Sequence, residues 1–343
     1  MKWLNKQTVS EHLTMQATID TIEALLHLQA AHPNWVKAPE RLVIETFTED
    51  DKNSTGSHLS MPSTIYDGKR EFSAVKLVTI CPDNPSRNLP TTTAIITVSD
   101  NANGEILAVM DGVYITQVRT AALSGVATKY MAKADCQSAA VVGCGGMAYE
   151  QLNAVLTVRP DIQIVRLWNR NINGAEAFKT RFAKEYAQWN VELIVCEELS
   201  AAIKDADIIN VATRAESGLF NKAQIKPDAH INAVGAYQPS MKEISNDIIA
   251  SSKLVVVDDL LGSRHEAGDL IQAHDAKDCA WTWDALSGDL QSLVTGELKE
   301  KTSSESDKGI TLFKSVGAAS FDAAVAIYMM QLAQKKNLGT VLF

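Results

Sequence analysis

AAVVGCGGMAYEQLNAVL, residues 139–156, decides the fold. A run of small and β-branched residues ends at Gly143, and a helix-forming run starts at Ala148. Gly143, Gly145 and Ala148 between them form a G-x-G-x-x-A arrangement, the turn from strand into helix that suits a dinucleotide. Each small residue has a task there: a tight turn, close approach of backbone to pyrophosphate, and close helix-to-strand contact. The N–H groups and the dipole at the helix start then attract the phosphates.

The text that follows keeps one rhythm, with helical stretches between the short apolar runs SAAVVG, IQIVRLWN, VELIVC, ADIINVAT, HINAVGA and KLVVVDD. Such runs imply a parallel sheet covered on both faces. The second strand ends at Trp168, where an acidic residue would accept hydrogen bonds from the adenosine ribose. Here Asn169 and Arg170 follow instead. No carboxylate repels a 2′-phosphate and Arg170 can pair with one, so NADPH is favoured, with NADH possible; the alternative is a merely solvated Arg170.

Residues 41–110 read differently. RLVIETF, FSAVKLVTI, TAIITVSD and EILAVMD are strand-like pieces separated by turn-rich CPDNPSRNLP and DNANG, which suggests an antiparallel or mixed sheet in a separate unit. ITQVRTAALSGVATKYMAKA is expected to be a helix joining the two units, with Thr116 as its N-cap. FDAAVAIYMMQLAQKK reads as a last helix with no strand after it, returning to the N-terminal unit. MKWLNKQTVSEHLTMQATIDTIEALLHLQAA lacks a signal peptide's apolar core and reads as an opening amphipathic helix, and KEKTSSESDKG (299–309) as an exposed loop. The expected division is 1–128, 129–314 and 315–343, since 343 residues exceed what one core organises.

Composition narrows the function. With 46% hydrophobic and 21% charged residues and no 18-residue apolar run, membrane insertion is not expected. A net charge of −9, with no Lys/Arg run longer than a pair, argues against nucleic acid. Cys81, Cys136, Cys144, Cys196 and Cys279 are odd in number and form no CxxC, as reduced thiols of the cytoplasm would. Seven histidines without HExxH or paired spacing give no support for a protein-held metal.

Three cations stand in apolar settings. Period 2 puts Phe72, Ala74, Lys76, Val78 and Ile80 on one strand face, so Lys76 either snorkels or meets an anion, which is the favoured reading. Arg119, three residues after the expected cap, falls in the first turn of its helix, where a bound anion would offset the dipole; a buried pair with an internal Asp or Glu is the alternative. Arg41 alone is an ordinary strand-edge charge, but the three together would clamp a carboxylate.

The chain resembles the ornithine cyclodeaminase and mu-crystallin family, which also contains alanine dehydrogenases and cyclic ketimine reductases. The resemblance rests on MPSTIYDGKREFSAVKLVTI, GEILAVMDGVYITQVRTAALSGVATKYMA, VVGCGGMAYEQL, VRLWNRNINGAEAF, ADIINVATR, HINAVGAYQPSMKEI, EAGDLI and LFKSVGAASFDAAVA, in order over nearly the whole length. It implies a Rossmann-type doubly wound parallel sheet inserted in an α+β substrate-binding and dimerisation domain, and a homodimer. It implies that Arg41, Lys76 and Arg119 grip the substrate carboxylate, with Lys76 near the reacting carbon. It places Gly143, Gly145, Gly146, Met147, Ala148, Asn169, Arg170, Thr213, Val234, Gly235 and Val316 around the cofactor.

One departure matters for the reaction. Where the cyclodeaminases carry an aspartate after VG, VGAYQPSMKEI has Tyr237, and a phenol is no carboxylate base at neutral pH. The wording instead resembles the family's reductases of Δ1-pyrroline-2-carboxylate and Δ1-piperideine-2-carboxylate. Hydride transfer to a cyclic imine is thus the expectation, with Lys76 or an ordered water as proton donor. The alternatives are an alanine or N-alkyl amino acid dehydrogenase, an ornithine cyclodeaminase, and a non-catalytic NADPH-bound protein. Asp322 is left open between a partner of these groups and a helix-start charge.

Overall fold

A computed structural model describes residues 1–47, 54–299 and 309–342. Packing divides the chain into two units, Met1–Arg119 with Ala318–Phe343, and Thr120–Gly317. The boundaries thus lie after Arg119 and after Gly317, where the sequence reading put them after 128 and 314.

The second unit is the Rossmann-type sheet. Its strand order is Glu192–Val195, Ile164–Trp168, Ser138–Val142, Ile208–Val211, His230–Ala233, Thr311–Lys314, Leu254–Val257 and Gly288–Asp289. Every pairing is parallel. Alternate residues feed opposite cores, as a strand's period of two requires: Ala139, Val141, Val165 and Leu167 pack with Phe178 and Phe182, while Val142, Ile209, Ile231 and Leu312 pack with Trp281. Chain order reverses on either side of Ser138–Val142, so a crevice opens at the carboxyl ends between it and Ile208–Val211. Two strands escaped the periodic reading. Gly288–Asp289 is too short to show a period, and Thr311–Lys314 ends in a lysine that is nevertheless fully buried.

The first unit holds a mixed sheet ordered Thr340–Val341, Lys2–Leu4, Ile106–Asp111, Thr92–Asp100, Glu71–Ile80, Ser54–Tyr66 and Val36–Lys37, with Leu42–Phe47 also paired to Ser54–Tyr66. Lys2–Leu4 with Ile106–Asp111 is its parallel pair. The helix Ala319–Lys336 rests on Glu71–Ile80, Ser54–Tyr66 and the helix Met15–Ala31. It buries the face of Glu71–Ile80 that carries Phe72, Ala74, Lys76 and Val78.

Three local expectations are corrected. The chain opens on the strand Lys2–Leu4, then on two helices, because Asn5 caps Lys6–His12 through Thr8 N–H (2.9 Å) and Thr14 caps Met15–Ala31 through Ala17 N–H (3.2 Å). The last helix is followed by a strand: Asn337 (φ 52°) and Gly339 (φ 79°) turn the chain so that Thr340–Val341 pairs with Lys2–Trp3. The joining helix runs Gly112–Met131, starting before Thr116. Asp111 accepts the Tyr114 N–H (2.8 Å) as the cap, and the Thr116 hydroxyl donates back to Gly112 C=O (2.7 Å). The proposed 299–309 loop lies, apart from its two end residues, outside the described residues. Among the described residues no helix is long and apolar enough to cross a membrane, and no cluster of His, Cys, Asp or Glu could hold a metal.

Candidate active site

Lys76 is 3% exposed and Arg119 4%, and what meets both is Asp322, at 1%. The Lys76 ammonium donates to Asp322 Oδ2 at 2.7 Å and Arg119 Nε to Oδ1 at 3.0 Å, with the Thr116 hydroxyl at 3.5 Å from the same oxygen. Asp322 stands in the first turn of Ala319–Lys336, so it is at once partner and helix-start charge. The shift of the joining helix removes the dipole argument for Arg119, which lies well past the first turn. The buried pair with an internal aspartate holds it instead.

Arg41 completes the group. Leu42 pairs with Ser60, and Met61 pairs with Lys76. Continued by one residue, that register sets Arg41 opposite Met61, on the face of Lys76. Burial lowers the Lys76 ammonium, Asp322 raises it, and Arg119 and Arg41 lower it further, leaving it at about 8. Burial would raise Asp322, but Arg119 and Lys76 hold it below the usual carboxylate range. Two buried cations thus share one carboxylate, with Arg41 near enough to lower Lys76. The Arg119 Nη1 is buried with no hydrogen-bond partner among the described residues, the state of a donor built for an incoming anion.

In the second unit the glycine loop has the geometry its sequence demands. Gly143 adopts φ 91°, and a Cβ there would stand 2.6 Å from Ala212 O. Gly145 differs, since among the described residues no atom beyond its own chain neighbours lies within 4 Å of its would-be Cβ. The space there is open to a ligand's approach. Met147 stands at the N-cap of Ala148–Val158 without a side-chain cap bond, leaving the helix start to an anion. Asn169 accepts the Cys144 N–H (3.1 Å) and donates to Asn171 C=O (2.9 Å), which locks the turn beside the loop. Arg170 is exposed and has neither hydrogen bond nor ion pair among the described residues. These features fit a dinucleotide. Burial pushes the Cys144 thiol up to about 12, so this cysteine is no nucleophile.

Further along the same sheet edge come Thr213, Val234 and Gly235, then Val316. Asp258, after the strand Leu254–Val257, accepts from the Ser315 hydroxyl (2.6 Å) and from the N–H groups of Val316 (3.1 Å) and Gly317 (2.7 Å). Glu243 accepts from Thr213 and Gly235. Asp258, Glu243, Asp269 and Lys314 were missed as site residues. Their signal was available, as charged residues inside the segments KLVVVDD, YQPSMKEI, EAGDLI and LFKSVG.

A model described as the ornithine cyclodeaminase/mu-crystallin family matches residues 2–337. The Delta(1)-pyrroline-2-carboxylate reductase of Bacillus cereus is 35% identical over 287 residues, 84% of this chain and 85% of its own. The structure of Thermococcus litoralis Delta(1)-pyrroline-2-carboxylate reductase in complex with NADH and L-proline matches with TM-score 0.89 and 32% identity, covering 100% of both chains. An archaeal alanine dehydrogenase dimer with bound NAD matches with TM-score 0.85 and 26% identity, covering 100% of this chain and 99% of its own.

Proposed function

The chain belongs to the ornithine cyclodeaminase/mu-crystallin family, and from that premise we propose that it is an oxidoreductase that reduces cyclic ketimines with NAD(P)H. Its substrate is Δ1-pyrroline-2-carboxylate, giving L-proline, and/or Δ1-piperideine-2-carboxylate, giving L-pipecolate. The observation that carries this reading is the buried group of Lys76, Arg119 and Asp322, in which two cations share one carboxylate and Arg119 Nη1 has no hydrogen-bond partner among the described residues. A substrate carboxylate balances the excess positive charge of that group.

Arg119, through its unpartnered Nη1, and Arg41 take the carboxylate and fix the ring. Lys76, whose ammonium lies near 8, remains mostly protonated at neutral pH and can release its proton. It gives that proton to the imine nitrogen as the carbon is reduced. The product is an amine, and solvent reprotonates Lys76. When bound, the reduced nicotinamide supplies the hydride. Asp322 holds the Lys76 and Arg119 heads in place and keeps the ammonium charged until reaction.

The glycine loop from Gly143 to Ala148 holds the pyrophosphate, and Asn169 and Arg170 border the adenosine ribose. The free, exposed Arg170 supports NADPH as the preferred form, with NADH accepted. Thr213, Val234, Gly235 and Val316 border the other half. Five free thiols suit the cytoplasm. The exposed Leu42, Val43, Ile44 and Phe47 of one edge strand suit a homodimer. The same resemblance to a dimeric structure supports that assembly.

The test is dinucleotide oxidation with each imine, using NADPH and NADH in parallel. Rapid oxidation with one or both imines is expected, faster with NADPH at low dinucleotide. No oxidation with either imine would overturn the substrate assignment. Turnover of pyruvate with ammonia or methylamine instead would make the protein an amino acid dehydrogenase.

A further inference from the structure

Three charged side chains lie in the second unit that the proposed reaction does not use. Glu243, Asp269 and Lys314 are each 0% exposed. Charges so placed persist only when their partners satisfy them. Glu243 is the centre. Its Oε1 accepts from both the N–H and the hydroxyl of Thr213, the latter at 2.7 Å. Its Oε2 accepts from the N–H groups of Gly235 (2.7 Å) and Ala236 (3.0 Å).

One carboxylate therefore ties together two loops that leave adjacent strands, Ile208–Val211 and His230–Ala233. The fit leaves no room for a side chain at Gly235, where a Cβ would stand 2.1 Å from Thr213 O and 2.4 Å from Glu243 Oε1. Asp269 fixes the carboxylate's own backbone, accepting from Glu243 N–H (2.6 Å) and Ile244 N–H (2.8 Å). Its other oxygen lies 2.8 Å from Lys314 Nζ, at angles that make it an ion pair rather than an aligned hydrogen bond.

The place of these loops gives the network a use. In a doubly wound sheet one mononucleotide lies over each half, divided where strand order reverses. The glycine loop and Asn169–Arg170 belong to the adenosine half. Thr213 and Gly235 follow strands beyond the reversal, in the nicotinamide half. We propose that Glu243 is a positioning residue for the nicotinamide half of the dinucleotide: it fixes the Thr213 and Gly235–Ala236 loops against each other, and Asp269 with Lys314 holds it there. The proposal rests on the dinucleotide reading above.

An amide at this position has one acceptor oxygen and a donor NH2, so two of the four loop donors would face another donor. The experiment compares wild type and Glu243→Gln for the Kd of the reduced dinucleotide the wild type binds more tightly and of its matching fragment without nicotinamide, ADP-ribose for NADH or 2′-phospho-ADP-ribose for NADPH. Melting temperature is recorded alongside. Dinucleotide affinity should fall about tenfold or more while fragment affinity stays within about twofold. Equal loss for both probes, or loss for neither, overturns the proposal. If Glu243→Gln does not fold, Asp269→Asn, which loosens the backbone of Glu243 and keeps its carboxylate, should show the same split between probes. Wild type binding neither probe would instead overturn the cofactor reading itself.

Discussion

Lys76 is held between two opposed effects, since burial drives it toward neutrality and Asp322 keeps it charged, and the balance falls at about 8. An acid must be protonated to act, so the rate with imine should hold below about pH 8 and decline above it as Lys76 loses its proton. A pH profile flat through that range would remove Lys76 as the acid. Lys76→Ala should lower turnover by ~10²–10⁴-fold with dinucleotide Kd unchanged, which single-turnover kinetics and titration can separate. Asp322→Ala leaves two buried cations facing each other and should cost about 3–5 kcal/mol in denaturant unfolding. His230, between Thr311 (2.9 Å) and Asn232 (3.1 Å), is pushed down to about 3 chiefly by burial. Unfolded chains take up that proton first, so stability should decline as pH falls below the ordinary histidine range toward 3, and His230→Gln should flatten the decline. Strand periodicity alone put Lys76 on a buried face, but its partner lies 246 residues away, beyond any local pattern.

Elements show where local signals compete. Thr116 looked like a cap because a hydroxyl stood before an apolar run, yet Asp111, five residues earlier, supplies a better acceptor, and Gly112 can approach Ala94 closely (2.9 Å from a would-be Cβ). The far end of Gly112–Met131 is held by Arg159. Its Nη2 donates to the carbonyls of Thr128 (3.0 Å), Lys129 (3.1 Å) and Ala132 (2.8 Å), and its Nε to Lys133 C=O (2.7 Å). Thr128 C=O also accepts the Ala132 N–H (3.1 Å), but carbonyls in a helix's last turn otherwise lack helical donors, so Arg159→Ala should destabilise the protein by about 2 kcal/mol, read as a lower melting temperature with imine kinetics little changed. No helix-end rule could have found this cap, because the arginine belongs to the end of a different helix.

At the scale of the molecule, the strand Leu42–Phe47 leaves Leu42, Val43 and Ile44 at 50% exposure or more, an edge that would invite uncontrolled pairing unless a second copy covers it. For the proposed homodimer, Ile44→Glu should therefore shift the mass measured by light scattering from dimer to monomer. A variant that remains dimeric would place the subunit contact elsewhere. The parallel sheet and the glycine loop were determined by sequence alone, because strands buried on both faces must be apolar throughout and the loop's spacing is local. Short edge pairings such as Lys2–Leu4 with Thr340–Val341 were not, since a few residues have no period and the partners are the two ends of the chain. Tertiary structure also decided which charges meet. Lys76, Arg119 and Asp322 in one unit, and Glu243, Asp269 and Lys314 in the other, are distant in sequence, and a charge can be buried only where folding brings its counter-charge within reach.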